Sequence, residues 1–171
     1  MTPRRGSGQA PRTGSGQAPR RGSRQADPGL PFDAVSGPVV AYIDGGARGN
    51  PGPAGFGVRI EDAGGELIEE IAESIGVATN NVAEYRALIA ALEWAKRHGH
   101  RQLHVRSDSQ LLVQQMLGNY EVKHPGLLPL AARARMLAHE LGGVTFEHVR
   151  REKNVHADRL ANTAMDDASM K

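Results

Sequence analysis

The sequence contains no cysteine, which excludes disulfide bonds, thiolate zinc sites and thiol nucleophiles. Aromatic residues make up only 4% of the 171 residues, so the chain has little material for stacking nucleic-acid bases. No apolar run approaches the roughly 18 residues that a membrane-spanning helix needs, and no apolar stretch follows the basic N-terminus as it would in a secretory signal. We therefore expect a cytoplasmic protein without membrane contact. Because no apolar interface segment stands out, we also expect a monomer.

Acidic residues are missing from the first 26 positions, which carry six arginines. The rest of the chain holds 15 basic and 19 acidic residues, so the formal net charge of +2 averages a basic tail and a mildly acidic domain. The tail repeats an octapeptide as PRRGSGQA, PRTGSGQA and PRRGSRQA, without the apolar residues that could offset the entropy of ordering. We predict a disordered tail over residues 1–37 and one domain over 38–171. The tail is either an electrostatic arm for nucleic acid or an extension that affects only solubility.

Beyond residue 37 the hydrophobic pattern alternates between strand and helix periods. It predicts strands at 39–44, 55–61, 66–75, 102–106 and 144–149, and helices at 81–98, 109–117, 127–141 and 154–168. Asn81 followed by Glu84 resembles a capping box at the start of the first helix, and Trp94 on that helix is expected in the core. The order β-β-β-α-β-α-α-β-α predicts an α/β fold. Its mixed sheet has three antiparallel strands first and then strands reached through helical crossovers.

Four acidic residues stand out by their position in these elements: Asp44, Glu84, Asp108 and Asp158. Two of them end strands and two lie in the first turns of helices, so the aspartates at the strand ends would be neighbours if those strands pair. Clustered carboxylates resist ionisation unless hard divalent cations such as Mg²⁺ or Mn²⁺ neutralise them. Taken singly, each also has a plainer explanation as a helix-dipole or turn residue. Spacing alone does not show that the four converge.

A glycine-rich segment spans residues 45–57 and contains six glycines. It matches neither GxxxxGK[ST] nor GxGxxG, so a nucleotide phosphate loop is not expected. Glycine permits tight turns and close approach to a sugar-phosphate chain. A simple connection between strands is the plainer interpretation.

The local sequence around each acidic residue resembles the motifs of type 1 ribonucleases H. In order along the chain these are YIDGGARGNPGPAGFGV (42–58), TNNVAEYRALIAALEWA (79–95), SDSQLLVQQM (107–116) and REKNVHADRLAN (151–162). The resemblance covers residues 38–168 and implies a ribonuclease H-like fold with a mixed five-stranded sheet, three antiparallel strands then two parallel, flanked by helices. It implies an endoribonuclease that hydrolyses the RNA strand of RNA–DNA hybrids, leaving 5′-phosphate and 3′-hydroxyl ends. Its cofactors would be two Mg²⁺ ions, with Mn²⁺ as a possible substitute.

The resemblance also assigns roles to the four carboxylates. Asp44 is expected to contact both metal ions, and Asp158 to help hold the ion that activates the attacking water. Glu84 and Asp108 are expected to hold the ion that stabilises the leaving 3′ oxygen. Glu84 is further expected near the RNA 2′-hydroxyl, the group that distinguishes RNA from DNA.

Substrate contacts follow from the same resemblance. Residues expected along the minor groove of the hybrid are Asn50, Asn80, Asn81 and Gln110, and Thr79 is expected at a DNA-strand phosphate. Their short amide and hydroxyl groups suit contacts that depend on shape rather than on base sequence. One of Asn80 and Asn81 is also expected to cap the first helix.

Two departures from the family pattern affect these expectations. The link between the last strand and the last helix lacks the longer loop found in bacterial members of the family. The histidine of that loop has an auxiliary role, which is to shuttle protons or to help release the product. Arg151 is the better candidate for that role, although an arginine cannot shuttle protons near neutral pH, and His148 is interpreted as a structural strand residue. The basic handle helix is also missing, which predicts weak substrate affinity for the domain and a compensating role for the arginine tail.

Two alternatives to a hybrid-cutting nuclease remain open at this point. One is a ribonuclease H-like module that binds nucleic acid without cutting it. The other is a different nuclease on the same architecture, because a fold alone does not fix activity. The intact acidic set argues against the first, and the TNN and SDSQ segments argue against the second.

Overall fold

One mixed five-stranded sheet organises the chain in the computed structural model, which describes residues 37–170. The predicted tail, apart from its last residue, lies outside the described residues, as does Lys171. The strands are β1 (Val39–Ala47), β2 (Gly52–Glu61), β3 (Leu67–Ala78), β4 (Gln102–Ser107) and β5 (Gly143–His148). The helices are α1 (Asn80–Arg97), α2 (Gln110–Met116), α3 (Leu128–Leu141) and α4 (Val155–Ser169), and a 3₁₀ turn at Arg151–Lys153 precedes α4.

The strand order in the sheet is β3-β2-β1-β4-β5. Strands β1, β2 and β3 pair antiparallel, whereas β4 is parallel to both β1 and β5. The predicted fold class is therefore confirmed: three antiparallel strands are followed by two parallel strands that helices reach by crossovers. Among residues 37–170, no helix has the length and apolar character needed to cross a membrane.

The helices α1 and α4 cover opposite faces of the sheet. Successive side chains of a strand point to opposite faces, and a Cβ on Gly45 would meet Ala83 of α1, whereas one on Gly46 would meet Met165 of α4. The α1 face carries the larger core, which includes Ile43, Val105 and Leu88. Trp94 is 2% exposed and donates its indole N–H to Glu69 at 2.7 Å, so its predicted core position is confirmed.

Most of the glycine-rich segment is strand, which differs from the sequence expectation. Strand β1 continues three residues past its predicted end, and β2 starts three residues earlier than predicted. The glycines let helices lie directly on these strands. A Cβ on Gly45 would come within 2.4 Å of the Ala83 carbonyl carbon, and one on Gly57 within 2.4 Å of the Leu160 Cβ. Helix packing, rather than turn formation, accounts for these two positions.

The predicted capping box at the start of α1 is wrong. Thr79 is the N-cap residue, and its hydroxyl accepts a hydrogen bond from the Val82 N–H at 3.2 Å. The helix thus begins at Asn80, one residue earlier than predicted, and Glu84 falls in its second turn. Neither Asn80 nor Asn81 caps the helix, contrary to the second role expected for one of them. Glu84 is therefore free of a capping function.

Candidate active site

Asp44 and Asp108 come side by side because of how β1 pairs with β4. The two strands run parallel, and the last pair of their ladder joins Ile43 to Ser107. Asp44 and Asp108 are the residues that follow this pair on the two strands. They lie at the edge of the sheet where the carboxyl ends of parallel strands meet. The pairing that the sequence left conditional is thus present, and it places two carboxylates at one edge of the sheet.

Two helices bring the other two carboxylates to the same edge. The lack of a Cβ on Gly45 lets the Ala83–Glu84 backbone of α1 lie against β1, which places the Glu84 backbone beside the residue that follows Asp44. Asp158 lies in the first turn of α4, and it interacts by hydrogen bonding with Asp44. All four carboxylates line one open cleft of about 760 Å³. The convergence that spacing alone could not establish is present in the fold.

The cleft carries more negative charge than its protein surroundings neutralise. Burial raises the pKa of Asp44 to about 8, with further contributions from Asp108, Asp158 and Glu84. Burial also raises the pKa of Glu84 to about 7, against an opposing hydrogen bond from Ser109. Carboxyl groups with such values hold protons near neutral pH unless a cation replaces them.

The donor set fits Mg²⁺ or Mn²⁺ by its chemistry. The cleft offers carboxylate oxygens, which are the hard ligands these ions prefer. Within residues 37–170, no group of three or more His, Asp or Glu side chains is arranged around a single point as ligands for one ion. Mg²⁺ typically binds through only one or two carboxylates and retains several water molecules. Four carboxylates facing an open cleft match that demand better than they match a closed protein cage.

Two polar residues to which the sequence motifs assigned no role, Ser109 and Asn154, lower the pKa values of the carboxylates. Ser109 caps α2 by accepting the Leu112 N–H at 3.2 Å, and its hydrogen bond to Glu84 lowers the pKa of that carboxyl. Asn154 is 1% exposed and donates its amide Nδ2 to the Ile43 carbonyl at 2.9 Å. Burial raises the pKa of Asp108, and a hydrogen bond from Asn154 opposes this rise. A polar residue directly before each helix was the available signal.

Four of the five predicted substrate-contact residues lie around the turn between β1 and β2 and the start of α1. The Asn80 side-chain oxygen accepts the Ala47 N–H at 2.8 Å, and that of Asn50 accepts the Asn80 N–H at 3.0 Å. Asn80 and Asn81 line the cleft with the carboxylates. Thr79 is next to them in sequence as the α1 cap. Gln110 is exposed at the first position of α2 and is not among the residues that line the cleft.

Basic residues also line the cleft. Arg151 and His148 both line it, and their positive charge lowers the pKa of Asp108. His148 is the last residue of β5 and is exposed, so it belongs to a strand, as predicted, yet it faces the cleft. Arg48 and Arg150 line the cleft as well, and Arg48 is paired with Asp166 at 2.7 Å. The cleft is thus lined by carboxylates, by amide side chains and by basic side chains.

Comparison with known proteins gives a consistent set of similarities. A family model described as reverse transcriptase-like matches residues 42–164. The bifunctional protein Rv2228c of Mycobacterium tuberculosis is 49% identical over 132 residues, which make up 77% of this chain and 36% of that protein. Ribonuclease HI of Halobacterium salinarum is 46% identical over 132 residues, which make up 77% of this chain and 66% of that protein. The chain thus spans about a third of the mycobacterial relative.

Solved structures agree with the sequence comparison. The crystal structure of RNase H1 from Halobacterium salinarum superposes with a TM-score of 0.74 at 45% identity, covering 77% of this chain and 99% of that chain. LC11-RNase H1, solved in complex with an RNA/DNA hybrid, superposes with a TM-score of 0.73 at 47% identity. That match covers 76% of this chain and 98% of that chain. The similarity therefore extends over the whole sheet and its covering helices.

Proposed function

Because the chain belongs to the type 1 ribonuclease H family, we propose that it is an endoribonuclease that hydrolyses the RNA strand of RNA–DNA hybrids. Catalysis uses two divalent metal ions and leaves 5′-phosphate and 3′-hydroxyl ends. The observation that carries this proposal is the convergence of Asp44, Glu84, Asp108 and Asp158 in one open cleft. The hybrid as substrate is supported by LC11-RNase H1, which was solved with an RNA/DNA hybrid bound.

The four carboxylates hold the ions in this proposal. Asp44 interacts with the other three acids through space, which suits a ligand shared by both ions. In this assignment Asp158 helps to hold one ion, and Glu84 and Asp108 hold the other. When bound, Mg²⁺ or Mn²⁺ ions supply an activated water nucleophile and stabilise the leaving oxygen of the phosphodiester. The carboxylates contribute by fixing the positions of these ions and by remaining ionised once the ions neutralise them.

The amide residues at the cleft bind the hybrid in this proposal. Asn80 and Asn81 present short side chains beside the carboxylates, and Asn50 and Thr79 hold the same segment through their hydrogen bonds. We assign these residues, with Gln110 on α2, to the minor groove and the neighbouring DNA phosphate. RNA–protein recognition of this kind depends on shape and on the 2′-hydroxyl rather than on base sequence. We also assign Glu84 to contact with the RNA 2′-hydroxyl.

We assign the auxiliary role to Arg151. Its guanidinium lines the cleft and acts on Asp108 by charge, so it can stabilise the phosphate as negative charge develops on it. The expected result is a kcat loss of about 10-fold or more in Arg151→Gln, with a smaller loss in His148→Gln. Single-turnover cleavage across pH 6–9 checks this. A pH-dependent loss in the histidine variant alone would transfer the role to His148.

The decisive experiment uses labelled RNA–DNA, RNA–RNA and DNA–DNA duplexes with the full chain and its Asp44→Asn variant. We expect cleavage of the RNA strand in the hybrid with Mg²⁺ or Mn²⁺, and none in EDTA or in the variant. End analysis of the products should give 5′-phosphates. Hybrid binding without cleavage in either metal would instead favour a non-catalytic module, and equal cleavage of another duplex would favour a different nuclease.

A further inference from the structure

Asn154 uses its side chain in an unusual way for a residue at the start of a helix. An Asn at such a position commonly accepts a backbone N–H from the first turn through its side-chain oxygen. In α4 no such bond forms. The side chain is 1% exposed and instead donates Nδ2 to the Ile43 carbonyl of β1 at 2.9 Å. Asn154 therefore connects the start of α4 to the strand that carries Asp44.

The orientation of this amide is fixed by its neighbours. The Ile43 carbonyl and the Asp108 carboxylate are both acceptors, so only the two N–H groups of Nδ2 can serve them. Turning the amide over would place Oδ1 against the Ile43 carbonyl. The cost of the observed orientation is that Oδ1 is buried without a hydrogen-bond partner, which is unfavourable because the oxygen loses its bonds to water and gains none in return. A buried polar group kept at such a cost indicates that its donors matter.

The position of the amide explains what the donors do. The β1–β4 ladder ends at the pair Ile43–Ser107, and β4 then leaves the sheet toward α2. The Ile43 carbonyl, one residue before Asp44, is taken by Asn154 at this point. The Asn154 carbonyl in turn accepts the Asp158 N–H at 3.0 Å. One residue is thus bonded to the backbone beside Asp44 and to the backbone of Asp158, and its side chain also lowers the pKa of Asp108.

We propose that Asn154 is a positioning residue that fixes Asp44, Asp108 and Asp158 relative to one another, so that the cleft binds divalent cations in a defined geometry. The effect of this positioning on catalysis rests on the proposed function. The effect on metal binding does not, because metal binding to the carboxylates can be measured in the absence of any nucleic acid. Partners that orient metal ligands typically change metal affinity or activity by about 10- to 100-fold when they are removed.

The test compares full-length wild type with Asn154→Ala and Asn154→Asp. Calorimetric titration with Mn²⁺ alone should give a dissociation constant raised about 10-fold or more in both variants. Asn154→Asp is expected to lose as much as Asn154→Ala despite its similar shape, because a carboxyl group offers acceptors where donors are needed. With hybrid as substrate, kcat should fall by a similar factor while KM for the hybrid stays within about twofold, as for an interaction not made with the substrate.

A matched control separates positioning from loss of stability. Leu141 is buried at the end of α3, two residues before Gly143, where β5 begins. Gly143 pairs with Gln102 at the start of β4, so Leu141 is at the opposite end of the sheet from Asp108. Leu141→Ala should lower the melting temperature without changing the Mn²⁺ dissociation constant. If Asn154→Ala fails to fold, Asn154→Ser retains one hydroxyl donor and should show a smaller loss of Mn²⁺ affinity.

Several outcomes decide between the ideas. Wild-type Mn²⁺ affinity in whichever Asn154 variants fold would overturn the inference. So would an equal loss of affinity in Leu141→Ala at the same drop in melting temperature. If the wild type binds Mn²⁺ and the Asn154 variants do not, but no duplex is cleaved, the inference stands and the proposed function fails.

Discussion

Asp44 has the most strongly shifted carboxyl group of the cleft because several causes coincide at one residue. It is largely buried, and Asp108, Asp158 and Glu84 all surround it. Each of these raises its pKa, and burial is the largest cause. Without a cation, the folded protein therefore binds protons at Asp44 and Glu84 that the unfolded chain would have released. This difference links the stability of the fold to pH.

The sign of that link gives the first prediction. Folding raises the pKa of Asp44 to about 8 and of Glu84 to about 7. Their favourable contribution to the free energy of unfolding is therefore complete below the pKa values of the unfolded chain, which are near 4, and is lost as pH rises through 7 and 8. The melting temperature in EDTA should thus fall by several degrees between pH 5 and pH 9. Asp44→Asn should flatten most of the decline, and Mg²⁺ should stabilise the wild type most at high pH. Thermal unfolding across pH checks this; a flat profile in EDTA would contradict it.

Ser109 serves two residues at once, and its two roles can be separated. Ser109→Ala removes both the cap of α2 and the hydrogen bond to Glu84, and should cost about 1 kcal/mol of unfolding free energy. Ser109→Asn keeps a good capping side chain and should lose mainly the contact with Glu84. We expect both variants to need a higher Mg²⁺ concentration for half-maximal cleavage. Only the alanine variant should unfold at a lower urea concentration than the wild type. Equal stability of the two variants would argue against the capping role.

At the scale of the element, the glycines of β1 and β2 determine how close the helices lie. A Cβ on Gly57 would come within 2.6 Å of the Ala157 carbonyl oxygen as well as reaching Leu160, and Asp158 lies between these two residues. α4 therefore has to move if Gly57 gains a side chain. The proposed metal ligands Asp44 on β1 and Asp158 on α4 depend on this spacing.

Gly57→Ala should consequently lower both stability and activity. Overpacking of this kind costs about 1–3 kcal/mol, and the shift of Asp158 should lower kcat further than the stability loss alone explains. Gly64→Ala is the matched control, because its Cβ would meet only Asp62 at 3.4 Å in a loop and should leave both properties unchanged. Urea unfolding and steady-state cleavage measure the two effects. A Gly57→Ala protein with wild-type kcat would refute the argument from spacing.

Elements were predictable from the sequence to the extent that their signals were local. The strand and helix order followed from the hydrophobic period, the positions of the four carboxylates in these elements singled them out, and the motif resemblance gave them roles. The longer β1 and β2 were missed because a glycine that admits a packed helix and a glycine that makes a turn look alike in sequence. The cap was assigned to Asn81 rather than Thr79 because both types cap helices well. Asn154 was missed because its role depends on Ile43 and Asp108, which are distant along the chain.

At the scale of the whole molecule, charge is divided between the tail and the domain. The first 26 residues carry +6 and the rest −4. The acidic domain repels a polyanionic substrate, except where metal ions or the basic residues that line the cleft offset this repulsion. We propose that residues 1–37 supply a sequence-independent attraction to nucleic acid.

Removing the tail charge should therefore weaken hybrid binding at low salt. A variant in which all six tail arginines are replaced by glutamine keeps the length and tests charge alone; deletion of residues 1–26 tests the segment. Both should raise KM for the hybrid at low KCl and flatten its dependence on salt, because fewer counterions are released on binding. The kcat should not change. Unchanged affinity at low salt in both variants would reduce the tail to a solubility extension.

The four carboxylates lie in, or directly after, four elements that are far apart along the chain, and α4 supplies Asp158 while it also covers β1, β2 and β3. During synthesis, all five strands leave the ribosome before α4. The cleft is therefore complete only after α4 has emerged and docked on the sheet. An incomplete chain lacks Asp158, so the proposed cleavage requires the domain to have folded as a unit.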